Sequence, residues 1–197
     1  ASCRSFAQAG LHTQYLVRDE QTASGVALIF VDQNGENQIV VAPGANMCLT
    51  PADVEAALPA IAAAKVMLLQ LEIPMETVLR AAELAVENGT RVILNPAPAR
   101  PLSAELLQKV DIIIANETEV MVLTGAYDVD TSTASLVCQP LLQAGVHSVI
   151  TTLGRHGAVV TSGVGATKVP GFVVKTVDTT AAGDTFAGGL ACALAED

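Results

Sequence analysis

Apolar and polar residues follow one another along most of the chain in a pattern that predicts buried strands and amphipathic helices. Four largely apolar runs, at residues 66–69, 91–94, 111–115 and 148–153, predict buried strands. The segments between them carry apolar residues at helical spacing. Continuous strands separated by such helices indicate an α/β fold with a mainly parallel sheet that is covered on both faces.

Capping and stop residues set the expected limits of the helices. Thr50, Pro51 and Asp53 open a helix that we expect to continue through Ile61. Gly89 is typical of the residue that follows the end of a helix. We expect further helices at residues 75–88, 103–109 and 117–124, one helix ending near residue 145, strands at 158–161 and 167–174, and a last helix from residue 182.

The segment before residue 47 has a different pattern. Residues 25–31 and 38–42 resemble two strands, and the Asn34-Gly35 step between them is a strong signal for a hairpin turn. We therefore expect an antiparallel ribbon with its connection at residues 11–46, followed by an α/β core at residues 47–197.

Composition excludes several classes of protein. The chain has 10 Lys and Arg against 20 Asp and Glu, so its formal charge of −10 argues against binding to nucleic acid. No apolar run approaches the ~20 residues of a membrane span, and we expect a cytoplasmic protein without a membrane partner. The four cysteines form no CxxC pair, which argues against a zinc site or a disulfide framework.

Polar side chains lie at or just beyond the ends of the four predicted strands. They are Glu72, Asn95, Asn116 and Thr152. The carboxyl ends of the strands in an open α/β sheet form one edge, and ligands bind in the crevice beside it. The alternative is that each of these residues simply begins a loop.

Residues 178–186 are the strongest candidate for a reactive site. Small residues at 181–183 allow a tight turn into a helix, and the first amides of a helix are free to bind an anion. Asp184 beside such amides is well placed to accept a proton from an attacking hydroxyl group. The alternative is that Asp178, Thr180 and Asp184 only stabilise the start of the helix.

This segment resembles the C-terminal signature of the PfkB (ribokinase-like) carbohydrate kinases. Five further segments occur in the order and approximate spacing of that family: Gly44-Ala45-Asn46, Gln70-Leu71-Glu72, Asn95-Pro96-Ala97-Pro98-Ala99-Arg100, Asn116-Glu117-Thr118-Glu119 and Thr152-Leu153-Gly154. The resemblance extends over residues 11–195. It implies a three-layer αβα fold with a mainly parallel sheet and a small antiparallel β lid.

The resemblance also implies a role for each matching residue. Asp184 matches the general base, which also contacts the sugar, and Glu72 matches a second sugar contact. The backbone anion hole around the transferred phosphoryl group corresponds to Ala181, Ala182 and Gly183. The nucleotide contacts correspond to Asn116, Thr152, Leu153, Gly154, Arg155, His156, Gly157 and Gly183. The ion contacts correspond to Asp178 and Thr180 for K⁺, and to Glu119 for Mg²⁺ through water.

Ordinary explanations compete with several of these roles. Asn116 and Glu119 also fit a helix capping box, since Asn is a favoured cap and Glu follows three residues later. His156 also fits a solvated loop residue.

The activity that the resemblance implies is transfer of phosphate from MgATP to D-ribose, giving ribose 5-phosphate and ADP. K⁺ would be a second cofactor, and the lid would also form a homodimer contact. A related kinase for fructose, 2-keto-3-deoxygluconate or a nucleoside is the first alternative, and a non-catalytic fragment that binds nucleotide or a partner subunit is the second. The family's N-terminal sugar-binding Asp and Gly-Gly motif do not occur in this sequence, so we expect a chain truncated at both ends and of low activity.

Overall fold

The computed structural model describes residues 2–31, 37–176 and 178–196, and these residues form two separate sheets. Strands β1 (Ser24–Val31) and β2 (Asn37–Gly44) pair antiparallel as a ribbon. The predicted Asn34-Gly35 turn lies outside the described residues, as does Val177 beside the signature segment. Gly44 at the base of the ribbon has φ 54°, and a Cβ there would lie 2.4 Å from the Ala23 carbonyl oxygen. Both the backbone angle and the close contact require glycine.

The second sheet has six strands in chain order. They are β3 (Val66–Leu69), β4 (Arg91–Leu94), β5 (Ile112–Asn116), β6 (Ser148–Thr152), β7 (Ala158–Ser162) and β8 (Gly165–Val169). Strands β3 to β6 are parallel, whereas β7 and β8 are antiparallel. The predicted α/β class, with a mainly parallel sheet and a small antiparallel ribbon, is therefore confirmed.

Nine α-helices lie within the described residues. Their bounds are α1 Ser2–Gln8, α2 Pro51–Ala56, α3 Leu58–Ala63, α4 Met75–Glu87, α5 Ala104–Leu107, α6 Glu117–Thr124, α7 Ala134–Val137, α8 Gln139–Gln143 and α9 Ala182–Glu196. Two 3₁₀ turns cover Ala45–Cys48 and Gly154–His156. In this part of the chain, every helix is too short or too polar to cross a bilayer.

Proline explains three differences from the expected elements. The helix expected from Thr50 through Ile61 is divided into α2 and α3, with Pro59 in the first turn of α3. The helix expected to end near residue 145 is likewise divided into α7 and α8, with Pro140 in the first turn of α8. Proline has no amide hydrogen to continue a preceding helix. The strand expected at 167–174 ends at Val169, because Pro170 cannot donate to a sheet.

Two hydrophobic clusters lie on opposite faces of the six-stranded sheet. Val92 and Leu94 of β4 pack into the larger cluster together with residues of α3 to α8, whereas Ile93 between them belongs to the smaller one. Ala187 of α9 is buried in that smaller cluster. Successive side chains of a strand point to opposite faces, so the sheet carries helices on both sides, and α9 covers its own face beside β3 to β5.

Candidate active site at the carboxyl edge of the sheet

The ends of four parallel strands meet at one edge of the sheet. Asn116 and Thr152 are direct partners in the pairing of β5 with β6. The amide of Asn95 donates to the Leu69 carbonyl at 2.8 Å, which joins the ends of β3 and β4. The side chain of Asn95 is buried and donates to the Ile114 carbonyl at 3.0 Å. The strand ends selected from the sequence therefore lie along a common edge.

Asp184 stands in the first turn of α9 and faces this edge. A hollow of about 240 Å³ is lined by Asp184 and Ala187 of α9 and by Leu68, Gln70 and Asn95 of the sheet edge. Gln70 Nε2 donates to Asp184 Oδ1 at 3.1 Å. The second oxygen of the carboxylate, Oδ2, makes no hydrogen bond with the described part of the chain. Asp184 is thus an exposed carboxylate with one oxygen engaged and one open.

The turn before α9 presents free backbone amides. Ala181 has φ 59°, an uncommon value for a residue with a side chain. The Ala182 amide donates to the Thr179 carbonyl at 3.1 Å and the Thr185 amide to the Ala181 carbonyl at 2.9 Å. Between them, the amides of Gly183 and Asp184 have no acceptor among the described residues. The Ala181 amide has none there either, so Ala181 and Gly183 of the predicted set present open amides, whereas the Ala182 amide is engaged. Such a helix start can hold an anion.

Asp178 and Thr180, the predicted K⁺ ligands, contact each other. The Thr180 amide donates to Asp178 Oδ1 at 2.8 Å, and this bond is the main reason that the pKa of Asp178 is lowered. Both side chains are exposed and offer oxygen atoms, the ligand type that hard cations prefer. Within residues 2–31, 37–176 and 178–196, no cluster of three or more His, Cys, Asp and Glu side chains gathers to hold an ion.

Asn116 and Glu119 form the capping box of α6. Asn116 Oδ1 accepts from the Glu119 amide at 2.9 Å, and Glu119 Oε2 accepts from the Asn116 amide at the same distance. Burial raises the pKa of Glu119, and the hydrogen bond from Asn116 opposes this rise only in part. The structural explanation for this pair therefore holds, and it leaves Glu119 Oε1 available for another contact.

The loop after β6 is a tight turn against the loop that follows β8. The Leu153 amide donates to the Gly157 carbonyl at 2.8 Å, and the Leu153 side chain is buried in the core, so any ligand contact of this residue would come from its backbone. Gly157 has φ 86°, and a Cβ there would lie 2.0 Å from the Val169 carbonyl oxygen. Arg155 and His156 are exposed and joined by a 3.4 Å hydrogen bond between Nε and Nε2. Gly154 opens the turn, also with positive φ.

Gln70, and not the predicted Glu72, lies at the hollow beside Asp184. Glu72 is exposed, is absent from the lining of the hollow, and makes no side-chain hydrogen bond with the described residues. Gln70, two residues earlier, lines the hollow and contacts Asp184. The position of Gln70 directly after β3 was the available signal, since it is the first polar residue beyond an apolar strand.

The sequence of the chain is similar to those of known proteins. The family described as pfkB family carbohydrate kinase matches residues 3–197. The ribokinase of Haemophilus influenzae is 42% identical over 193 residues, which cover 98% of this chain and 63% of that protein. The deoxyribokinase of Salmonella typhi is 39% identical over 181 residues, covering 91% of this chain and 59% of that protein.

Solved structures share the fold. The structure of Arabidopsis thaliana ribokinase complexed with ribose and ATP matches with a TM-score of 0.87 and 28% sequence identity, covering 98% of this chain and 66% of that one. The chain thus spans less than two thirds of the length of the relatives named here.

Proposed function

This chain belongs to the pfkB family of carbohydrate kinases, and on that basis we propose that the protein containing it transfers the γ-phosphoryl group of ATP to D-ribose, giving ribose 5-phosphate and ADP. The single observation that carries the proposal is the placement of Asp184. Its carboxylate lies at the start of α9, beside free backbone amides, and faces a hollow at the carboxyl edge of the sheet. The curated relative with the highest identity quoted above is a ribokinase.

The chemistry follows from two groups that stand next to each other. Asp184 Oδ2 would accept the proton of the sugar hydroxyl group as its oxygen attacks the γ-phosphorus atom. The amides of Gly183 and Asp184 would donate to the oxygen atoms of the transferred phosphoryl group, where negative charge develops. No covalent intermediate with the protein is needed, because phosphoryl transfer depends on alignment and charge stabilisation.

Nucleotide and ions would lie farther along the same edge. We assign the nucleotide to Asn116, Thr152 and the loop 153–157, because the strand pairing brings the first two together beside that loop. Mg²⁺ carried with ATP would supply neutralisation of phosphate charge. Glu119 would assist it through water, and Asp178 and Thr180 would hold K⁺ behind the turn. A cytoplasmic location stays a prediction.

Deoxyribose is a second candidate substrate, because the deoxyribokinase of Salmonella typhi is nearly as similar to this chain as the Haemophilus ribokinase. The two sugars differ by one hydroxyl group. A site that hydrogen-bonds this hydroxyl discriminates strongly, whereas one that leaves it in solvent does not. Fructose, 2-keto-3-deoxygluconate and nucleosides remain the wider alternatives.

A substrate panel tests the proposal. ADP formation by the complete protein would be measured with MgATP and each of ribose, deoxyribose, fructose, 2-keto-3-deoxygluconate and adenosine. We expect the highest kcat/KM with ribose. If kcat/KM is higher with another sugar, that sugar is the better candidate for the substrate. If none of the sugars stimulates ADP formation, the non-catalytic alternative remains. Isothermal titration with an ATP analogue would then show whether nucleotide still binds.

We also propose that the ribbon forms a homodimer contact. Val26, Leu28 and Phe30 lie on one face of β1, and the cross-strand partners of the first two are Ala42 and Val40. All five side chains are exposed. An exposed, contiguous apolar face on a two-stranded ribbon is typical of a protein interface. A second copy of the chain is the occupant that we propose for it.

A further inference from the structure

We propose that Gln70 is a positioning residue for the Asp184 carboxylate, an inference that rests on the proposed phosphoryl transfer. Gln70 Nε2 donates to Asp184 Oδ1 at 3.1 Å, although the two residues are 114 positions apart in the chain. Among the described residues, no other side-chain hydrogen bond joins α9 to the sheet. The orientation of the carboxylate therefore depends on one side-chain donor.

The backbone on both sides of Gln70 is fixed. Leu69 accepts a hydrogen bond from the Asn95 amide at 2.8 Å, and the Leu71 amide donates to the Ala97 carbonyl at 2.9 Å. The Leu71 carbonyl accepts from Arg100 Nη2 at 3.1 Å, and the Leu71 side chain is fully buried. A donor held in this way keeps its direction without losing entropy when the substrate binds.

The donor determines which oxygen of the carboxylate is free. Oδ1 is held by Gln70, so Oδ2 is the oxygen left to accept a proton from the sugar hydroxyl. The amide of Gln70 cannot itself take up the proton, so it does not compete with Asp184.

The first test is kinetic and uses the complete protein. Gln70→Met keeps the length of the side chain and removes the donor. We expect kcat to fall about tenfold, the effect of losing one hydrogen bond to a charged group, with KM for ATP and for ribose nearly unchanged. Gln139→Met is the matched control, because Gln139 is also half-buried and donates to a carbonyl at 3.1 Å, that of Ser135. It should keep wild-type kcat.

A double-mutant cycle separates positioning from a general structural effect. If Gln70 acts through Asp184, then Gln70→Met should cause little further loss in an Asp184→Asn background. A tenfold loss in both backgrounds would overturn the inference. So would a rise in KM for ribose with unchanged kcat, since Gln70 would then contact the sugar and not the base.

Nuclear magnetic resonance tests the contact between Gln70 and Asp184 without a measurement of turnover. The side-chain amide signal of Gln70 in a ¹H–¹⁵N spectrum, assigned by its loss in Gln70→Met, should move in Asp184→Ala, which removes the acceptor. An unmoved signal would reject the contact and with it the inference. If the signal moves but wild-type protein releases no ADP with any sugar, the proposed function fails and the contact stands without a catalytic role. The two failures are thus distinguishable.

Discussion

The Asp184→Asn variant tests whether Asp184 accepts a proton in the reaction, because Asn keeps nearly the same side-chain shape. Asn retains an oxygen that can accept from Gln70 Nε2, but it cannot take the proton of the sugar hydroxyl group. We expect the turnover of the complete protein to fall by ~10²–10⁴, while the dissociation constant for an ATP analogue stays nearly unchanged. Steady-state kinetics and calorimetry measure the two quantities, and a variant with most of the wild-type turnover would remove Asp184 from the role of base.

Asp178 supports a prediction about ions. Its Oδ1 accepts from the Thr180 amide, and the turn that they form precedes the amides proposed to hold the phosphoryl group. If K⁺ binds there, activity should rise when K⁺ replaces tetramethylammonium at constant ionic strength, and the rise should vanish in Asp178→Ala. Asp128→Ala, an exposed acid elsewhere on the chain, is the control and should keep the response. Equal wild-type activity in both salts would argue against a K⁺ site.

Single residues also show where sequence reasoning reaches its limit. Asp184 was predicted because its neighbours carry a recognisable signature, and Asn116 because a polar residue follows an apolar strand. Gln70 offered the same strand-end signal, but its partner lies 114 residues away. Side-chain contacts over such a separation depend on how α9 packs against the sheet, and local residue patterns hold no information on that packing.

At the scale of elements, the capping box of α6 allows charge and structure to be tested separately. Gln in place of Glu119 keeps an oxygen acceptor for the Asn116 amide and removes the charge. Burial raises the pKa of Glu119 in the folded protein, so ionised Glu119 costs stability at pH values above that pKa. We expect Glu119→Gln to raise the free energy of unfolding at pH 7. The gain should shrink toward pH 4, where the wild-type carboxyl is protonated.

The same variant tests the proposed Mg²⁺ role. If the charge of Glu119 organises Mg²⁺ and phosphate, Glu119→Gln should be the more stable protein and the poorer kinase. Glu117→Gln, which removes the same charge from the same turn of α6, should keep its activity. Urea unfolding at two pH values and a coupled ADP assay give both readouts. If Glu119→Gln keeps full activity, Glu119 acts only as a capping residue of α6 and does not assist Mg²⁺.

Elements with strong local signals were predicted best. The four parallel strands were found close to their observed bounds, because buried strands are continuous apolar runs. The bounds of α6 also agree, since its N-cap Asn116 and its C-cap Gly125 are local signals. The divided helices were missed because the apolar spacing continues across Pro59 and Pro140, although the backbone cannot.

At the scale of the whole molecule, charge and site chemistry fit together. The chain carries a net charge of −10, yet ATP, the proposed phosphoryl donor, is a polyanion. The proposed site would meet this difficulty with backbone amides at the start of α9, which add no net charge and hold their direction. The ribbon forms a sheet of its own and carries an exposed apolar surface, on which the proposed homodimer contact rests.

The last prediction concerns assembly through that ribbon. Leu28 and Val41 are similarly exposed, at 56% and 54%, but the alternation of side chains places them on opposite faces. If the face with Val26, Leu28, Phe30 and Val40 joins two copies, Leu28→Lys buries a charge without a partner there and should dissociate the dimer. Val41→Lys adds the same charge to the other face and should leave the dimer intact. Sedimentation velocity of the complete protein over a range of concentrations measures both. A wild-type protein that stays monomeric at high micromolar concentration would contradict the interface, and dissociation by Val41→Lys alone would move it to the opposite face of the ribbon.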